Sequence, residues 1–263
     1  MKLPRINLFE FEDLTWLPKA FRRYITDLLT FQIVKFGIYE SAAPLISDVL
    51  KKTGHHTLVD LCSGSGGPAF GVRKKISEEI GEDIHLFLTD KFPNIEAFSD
   101  NQDRLVTPIL DSVDASKVNS SLKGMRTMFT AFHHFTPEKA KEILQDAKNA
   151  NMPIAIFEIT ERNPGSLMTL LVAPITCLIF SLLVKPRKIG RFFWTYLIPF
   201  VPLMYTWDGL ISNLRSYTKD ELRQMTQELE GENFNWTVGE LTSKFHLKIT
   251  YLIGYPNKEE VLG

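Results

Sequence analysis

A chain of 263 residues is long enough to bury a full core, as one large domain or one domain with an elaboration. Its hydrophobic fraction of 44% and charged fraction of 23% belong to an ordinary globular protein, and a net charge of −1 excludes a global electrostatic footprint for nucleic acid. The two cysteines, Cys62 and Cys177, supply neither a disulfide framework nor a zinc spacing such as CxxC, which fits a reducing, cytoplasmic compartment. No apolar core followed by a small-residue cleavage site is found in MKLPRINLFEFED, so no signal peptide is expected there.

Taken in chain order, Leu17 to Phe36 and Ser41 to Lys52 carry apolar residues at helical spacing, with Gly37 and Gly54 as stops. Residues 1–54 are therefore expected to form a helical cap. Strands and helices then alternate. Strands are expected at Thr57–Leu61, Ile84–Thr89, Leu105–Leu110, Arg126–Ala131 and Pro153–Ile159, and helices at Pro68–Ile80, around Pro93–Gln102, and at Pro137–Ala150. Thr136 and Pro137 make a cap and first-turn pair for the last of these. The alternation predicts a doubly wound, mostly parallel α/β sheet.

After the fifth strand the pattern fails. Residues 162–207 contain no Asp or Glu, while Arg162, Lys185, Arg187, Lys188 and Arg191 are basic. Leu167–Val184 and Phe192–Trp207 are uncharged runs of eighteen and sixteen residues, separated by KPRKIGR. A spanning helix needs about 20 apolar residues. The runs are short for that and carry Pro174, Pro199 and Pro202, so two full crossings are not expected. Two readings stay open: a helical hairpin lying in the bilayer surface with its basic turn among anionic headgroups, or a lid or homodimer interface covered by protein. Outside this insert the chain holds twenty-five basic against thirty-one acidic residues. A positive apolar module on an acidic protein, with Phe192, Phe193, Trp194, Tyr196, Tyr205 and Trp207 as interfacial aromatics, favours membrane or lipid contact through 163–217. Alternation resumes at Thr218, where TKDE matches a capping box, and Phe234–Val238 and Leu247–Tyr255 are expected to close the sheet as an antiparallel hairpin.

Chemistry concentrates at the strand ends. TLVDLCSGSGG, Thr57 to Gly67, runs from a β-branched strand through Asp60 into a glycine-rich turn and an amphipathic helix. Such a corner lets backbone approach a ligand closely and presents unpaired helix N–H groups. GSGGPA also satisfies the dinucleotide pattern GxGxxG/A, but Asp60 repels a pyrophosphate and suits a cationic ligand, and no second mononucleotide-binding half follows. DLCSGSGG at Asp60–Gly67 resembles the first motif of the class I S-adenosylmethionine-dependent methyltransferases, acidic-x-Gly-x-Gly-x-Gly, with Cys62 where the first glycine is expected. The resemblance covers residues 55–160 and 218–255 and implies a seven-stranded sheet. It further implies that S-adenosylmethionine is held by Asp60, Cys62, Ser63, Gly64 and Gly66, by Asp90 and Lys91 of FLTDKFP, and by Asp114 and Ala115 of SVDA. Asp90 takes the place of the acid that meets both ribose hydroxyls, and Asp114 that of the acid at the adenine amino group; Asp90 as a turn residue and Asp114 as a helix cap are the plainer readings of each alone.

Three residues are candidate catalytic groups. His133 and His134 follow the fourth strand beside the expected methyl position, and Glu158 ends the fifth. A general base near neutral pH is most often His. The plainer reading gives the histidines a structural role and pairs Glu158 with Arg162. Asp208 and Arg215, two helical turns apart, face a substrate or form an ion pair with each other, and Arg23 or Tyr39 is placed to close over the methionine end or simply to pack. The expected activity is methyl transfer to a lipid or other hydrophobic small molecule at the cytoplasmic membrane. A soluble acceptor, with the insert as lid or dimer interface, and an inactive cofactor-binding module are the alternatives. No metal is expected.

Overall fold

The computed structural model describes residues 3–93, 103–229, 231 and 233–257, so most of the helix expected around Pro93–Gln102 lies outside the described residues. The chain divides into two compact units: Met1–Phe36 with Thr160–Thr218, and Gly37–Ile159 with Lys219–Gly263. The first boundary falls at the left-handed Gly37 rather than at residue 54. Of the two N-terminal helices, α1 (Lys19–Lys35) therefore belongs with the insert and α2 (Ala43–Thr53) with the sheet.

The second unit is built on seven strands: β1 (Thr57–Asp60), β2 (His85–Leu88), β3 (Val106–Pro108), β4 (Met125–Phe129), β5 (Ile154–Glu158), β6 (Phe234–Thr242) and β7 (Lys248–Pro256). Their order is β3-β2-β1-β4-β5-β7-β6, parallel from β3 to β5 and antiparallel at β7 and β6. Every residue of β4 and β5 is buried, the mark of strands covered on both faces. The helices of this unit are α2, α3 (Gly67–Ile80), α4 (Pro137–Asn149) and α9 (Lys219–Gln227), the last following the insert in the chain. Thr136 caps α4, its hydroxyl accepting the Lys139 N–H at 3.4 Å. Two polar residues enter the buried β4 and are satisfied: Arg126 pairs with Asp146 of α4 at 2.7 Å, and Thr127 donates to Asp60 of β1 at 2.8 Å. The chain order reverses between β1 and β4, which opens a crevice at the carboxyl ends of these strands.

The first unit contains α1, α5 (Pro164–Thr169), α6 (Ala173–Ser181), α7 (Ile189–Phe192) and α8 (Phe200–Arg215). Leu28, Ile25, Val201, Met204 and Cys177 are fully buried, and Phe21 meets Trp194 and Phe200 edge-to-face at 5.2 and 5.3 Å. Pro164–Ser181 is long and apolar enough by composition to cross a membrane, and 17% of it is buried; its helix tightens to a 3-10 turn at Leu170–Val172, just before Pro174. Asp208 and Arg215 of α8 do not pair with each other. The Asp208 carboxylate accepts the N–H groups of Phe11 and Glu12 at 2.6 and 3.3 Å, and Arg215 pairs with Glu10 at 3.1 Å and Asp13 at 2.5 Å. Both residues thus fasten the N-terminal segment, which a seven-residue spacing on one helix does not reveal. Burial, then Glu12 and Glu10, push the Asp208 carboxyl up to about 7.

Gly124, before β4, gives a sharp test of the sheet. Its φ is +147°, and a Cβ there would stand 2.6 Å from the Thr57 carbonyl oxygen. Gly124→Ala is expected to lower stability by about 2–4 kcal/mol, from backbone strain and overpacking together, measured by urea unfolding.

Candidate cofactor and proton-transfer site

The glycine-rich turn after β1 is held by its own backbone and by β2. The Ser63 N–H donates to the Thr89 carbonyl at 2.9 Å, its hydroxyl to the Asp60 carbonyl at 2.9 Å, and the Gly66 N–H to the Ser63 carbonyl at 2.6 Å. Cys62, Gly64 and Gly66 have φ of +56°, +56° and +77°. Cys62 therefore adopts the left-handed conformation that a glycine takes freely, at a cost of about 1–2 kcal/mol. At Gly66 a Cβ would meet the Phe70 ring at 2.8 Å and Leu88 at 2.9 Å, so a side chain where α3 begins would have to displace both and would be strained by the positive φ.

Asp90, past the end of β2, ties this turn to its own strand. One carboxylate oxygen accepts the Gly64 N–H and the other the Phe92 N–H, each at 2.9 Å. A carboxylate has about four acceptor sites, so one remains on each oxygen, the requirement for meeting two vicinal hydroxyls. Asp114 accepts the Ser116 N–H at 3.0 Å and hydroxyl at 2.8 Å and pairs with Lys91 at 3.0 Å. The Ser116 N–H above all, with Lys91 and the Ser116 hydroxyl, holds its carboxyl well below the usual range. Ala115 is buried beside it, while the Lys91 side chain is exposed.

Asp60 is buried, and this burial pushes its carboxyl up to about 7, against the hydrogen bonds from Thr127 and Ser63 that lower it. Burial and the neighbouring Asp90, Asp60 and Asp114 also push the Cys62 thiol far up, so it is no nucleophile.

The third group of residues lies at the ends of β4 and β5. His133 and His134 sit on a 3-10 turn, Phe132–His134, with their rings 4.3 Å apart. Glu158, the last residue of β5, receives the Phe132 N–H at 2.6 Å and the His133 N–H at 3.3 Å on one oxygen, and meets His133 Nδ1 at 2.8 Å with the other. Burial alone would raise the Glu158 carboxyl; the charge and hydrogen bond of His133 and the Phe132 N–H outweigh it, and the net shift is downward. The contact at Nδ1 fixes the orientation of the buried His133 ring against Glu158. Two contacts escape a sequence reading. Thr127 supports Asp60 from the neighbouring strand, and Tyr39, buried in the 3-10 turn Ile38–Ala42, shares a hydrogen bond with Thr130. A polar threonine inside the buried run MRTMF is a signal for the first; a lone tyrosine carries none for the second.

No known protein-family model matches this sequence, and no curated protein matches it. Solved structures do. The plantazolicin methyltransferase BpumL in complex with SAH aligns with a TM-score of 0.60 at 15% identity, over 94% of each chain. BpumL with a monoazolic desmethylPZN analog and SAH aligns with a TM-score of 0.59 at 14% identity, over 93% of each chain. The mitomycin 7-O-methyltransferase MmcR aligns with a TM-score of 0.54 at 11% identity, over 94% of this chain and 61% of its own. The chain has the fold of the class I S-adenosylmethionine-dependent methyltransferases.

The raised Asp60 carboxyl has a pH consequence. A folded value near 7 against an ordinary 3.8 means that the folded protein holds a proton the unfolded chain has released. This contribution to stability is full below about pH 4 and is lost as pH rises to about 7. Asp60→Asn is expected to flatten the fall in melting temperature between pH 4 and 7 relative to the wild type, as read by calorimetric scans.

Proposed function

We propose that this protein is an S-adenosylmethionine-dependent methyltransferase that acts on a hydrophobic small molecule or lipid at the cytoplasmic membrane surface. The observation that carries the first half is the convergence, on the carboxyl ends of adjacent strands, of a left-handed glycine turn, an acid with one acceptor site left on each oxygen, and a carboxylate-oriented histidine. The residues fit the cofactor: Gly66 takes the left-handed conformation at the turn where a Cβ would crowd Phe70 and Leu88, and Asp90 suits two ribose hydroxyls. Asp60 and the Cys62–Gly66 backbone would hold the methionine end, with Ser63 bracing the turn. Lys91, Asp114 and Ala115 would bound the adenine. When bound, S-adenosylmethionine supplies an electrophilic methyl group on a sulfonium.

The protein's own work is alignment and proton removal. Glu158 holds His133 Nδ1, so Nε2 would take the proton from an acceptor hydroxyl, or from an ammonium before its nitrogen can act as a nucleophile. His134, its ring tilted against that of His133, bounds the same corner. In BpumL and MmcR, methyl transfer to natural products accompanies this fold, which supports a small-molecule acceptor here.

Membrane contact is supported by the surface of the first unit. Leu171, Ile175, Ile179, Ile189, Leu197 and Leu203 are each at least half exposed, and no acid occurs from 162 to 207. Such an apolar surface without carboxylates suits an anionic bilayer better than water. The basic turn is smaller than its sequence suggests. Arg191 is fully buried, donating to the Val184 and Pro186 carbonyls at 2.6 and 3.0 Å, and Lys188 pairs with Asp27 at 3.3 Å. Lys185 and Arg187 are the exposed members. The expectation that all four basic residues meet phosphate is therefore narrowed to these two.

Titration calorimetry with SAH tests cofactor binding: tight binding, weakened at least tenfold by Asp90→Ala, is expected, and preference for NAD would overturn the reading. Transfer of radiolabelled methyl groups into a hydrophobic cell extract tests activity. His133→Ala is expected to lower it by about 10²-fold or more with SAH affinity unchanged. No transfer despite tight SAH binding would favour an inactive binding module.

Each exposed cation contributes on the order of 1 kcal/mol at an anionic surface. The double variant Lys185→Gln/Arg187→Gln is thus expected to lose about tenfold or more in flotation with phosphatidylserine vesicles, while SAH binding holds. Wild-type protein that ignores vesicles and sediments as a dimer would assign the apolar surface to a second copy.

A further inference from the structure

Among the described residues, four non-glycines have positive φ: Cys62, Thr130, Asn151 and His246. Asn and His enter this region comparatively readily, and Cys62 stands where the glycine-rich turn demands it. Thr130 is β-branched, and for such a residue a φ of +48° is a genuine outlier. It stands at the junction between β4 and the turn that carries His133. Strain of this kind persists only where surrounding contacts over-determine it.

Those contacts are visible. The Thr130 N–H donates to the Phe157 carbonyl of β5 at 2.9 Å, which continues the parallel ladder one residue past β4. Its hydroxyl is engaged by the Tyr39 hydroxyl. Tyr39 itself is 1% exposed, and its ring lies 5.1 Å from the Phe129 ring, which stacks on Phe157 at 5.5 Å. After Thr130 the chain bends at Ala131, with φ −139° and ψ −17°, and delivers the Phe132 and His133 N–H groups to Glu158. A helical Thr130 would aim this segment elsewhere, and Glu158 would lose two donors together with the imidazole.

We infer that Tyr39 is a positioning residue for His133: its buried hydroxyl locks Thr130 in the left-handed conformation that turns the chain from β4 onto Glu158. The inference rests on the reading of His133 as proton acceptor. Tyr39 itself touches neither reactant in this scheme. Burial, then the charge of Glu158, push its phenol far above the ordinary value, so it stays a protonated hydroxyl at every working pH.

The experiment is selective ¹⁵N-histidine NMR of the full chain, with and without SAH, the His133 ring signals being assigned by their loss in His133→Gln. In the wild type one set of ring-nitrogen signals is expected, for one fixed tautomer. Tyr39→Phe keeps the ring and removes the hydroxyl, and at least half of the His133 signal is expected to move to a second set. Thr130→Val, which removes the other hydroxyl, should do the same and serves if Tyr39→Phe fails to fold. Thr130→Gly placed on Tyr39→Phe should restore the wild-type set, because glycine adopts positive φ without a lock; a tyrosine that merely filled space would show no such rescue. Unchanged His133 signals in folded Tyr39→Phe and Thr130→Val proteins would overturn the inference, as would a loss of SAH affinity in Tyr39→Phe with His133 undisturbed. A wild type that ignores SAH would overturn the proposed function instead, while the spectra without SAH still report on the positioning.

Discussion

The seam between β1 and β4 is the constraint on which the rest of the site depends. Parallel pairing sets Asp60 opposite Thr127, and the threonine hydroxyl meets a carboxylate that has been taken out of water. Because both strands are buried, a one-residue slip would set Arg126 or Met128 opposite that carboxylate and remove the Thr127 hydroxyl from it. The same register ends β1 opposite Thr127, two residues before the end of β4. One strand releases the glycine-rich turn and the other Thr130, so both arms of the site are aimed by one ladder.

Polar groups at this end of the sheet are arranged as relays between neighbouring segments. Asp90 spans from β2 to the turn after β1, Glu158 from β5 to the turn after β4, and Asp114 gathers Lys91 and Ser116. Each carboxylate therefore joins segments that are separate in the chain. The electrostatic result is uneven. Asp60 is pushed towards its neutral form by burial, whereas Asp114 and Glu158 are held ionised by the donors around them. A cationic ligand end beside Asp60 would restore the charge that burial suppresses.

The inserted unit solves a different problem. Its core is mainly aliphatic with aromatic rings packed against it, yet many large aliphatic side chains face outward. The charged residues are also used internally: Arg191 braces the turn that ends α6, and Arg215 and Asp208 fasten the N-terminal segment along α8. The exposed aliphatic area carries a hydration cost in water.

Much of this was legible in the residues. Alternating strand and helix patterns carry the sheet, because a buried parallel strand requires a continuous apolar run and its crossover helix an amphipathic one. The seven expected strands occur within a few residues of their sequence positions, and the antiparallel hairpin closes the sheet. The glycine turn and Asp90 were legible too, since a left-handed turn and a two-oxygen acceptor each restrict the residue types that serve. Tertiary structure alone decided the partners of long polar side chains. Arg191 and Lys188 read as a solvated basic turn, yet one is buried and the other paired, because a side chain's reach depends on elements far away in the chain. For the same reason Asp208 and Arg215 turned to residues about two hundred positions distant, Tyr39 found Thr130, and the chain divided at Gly37. Local pattern reports which face is buried; only the folded chain reports what that face meets.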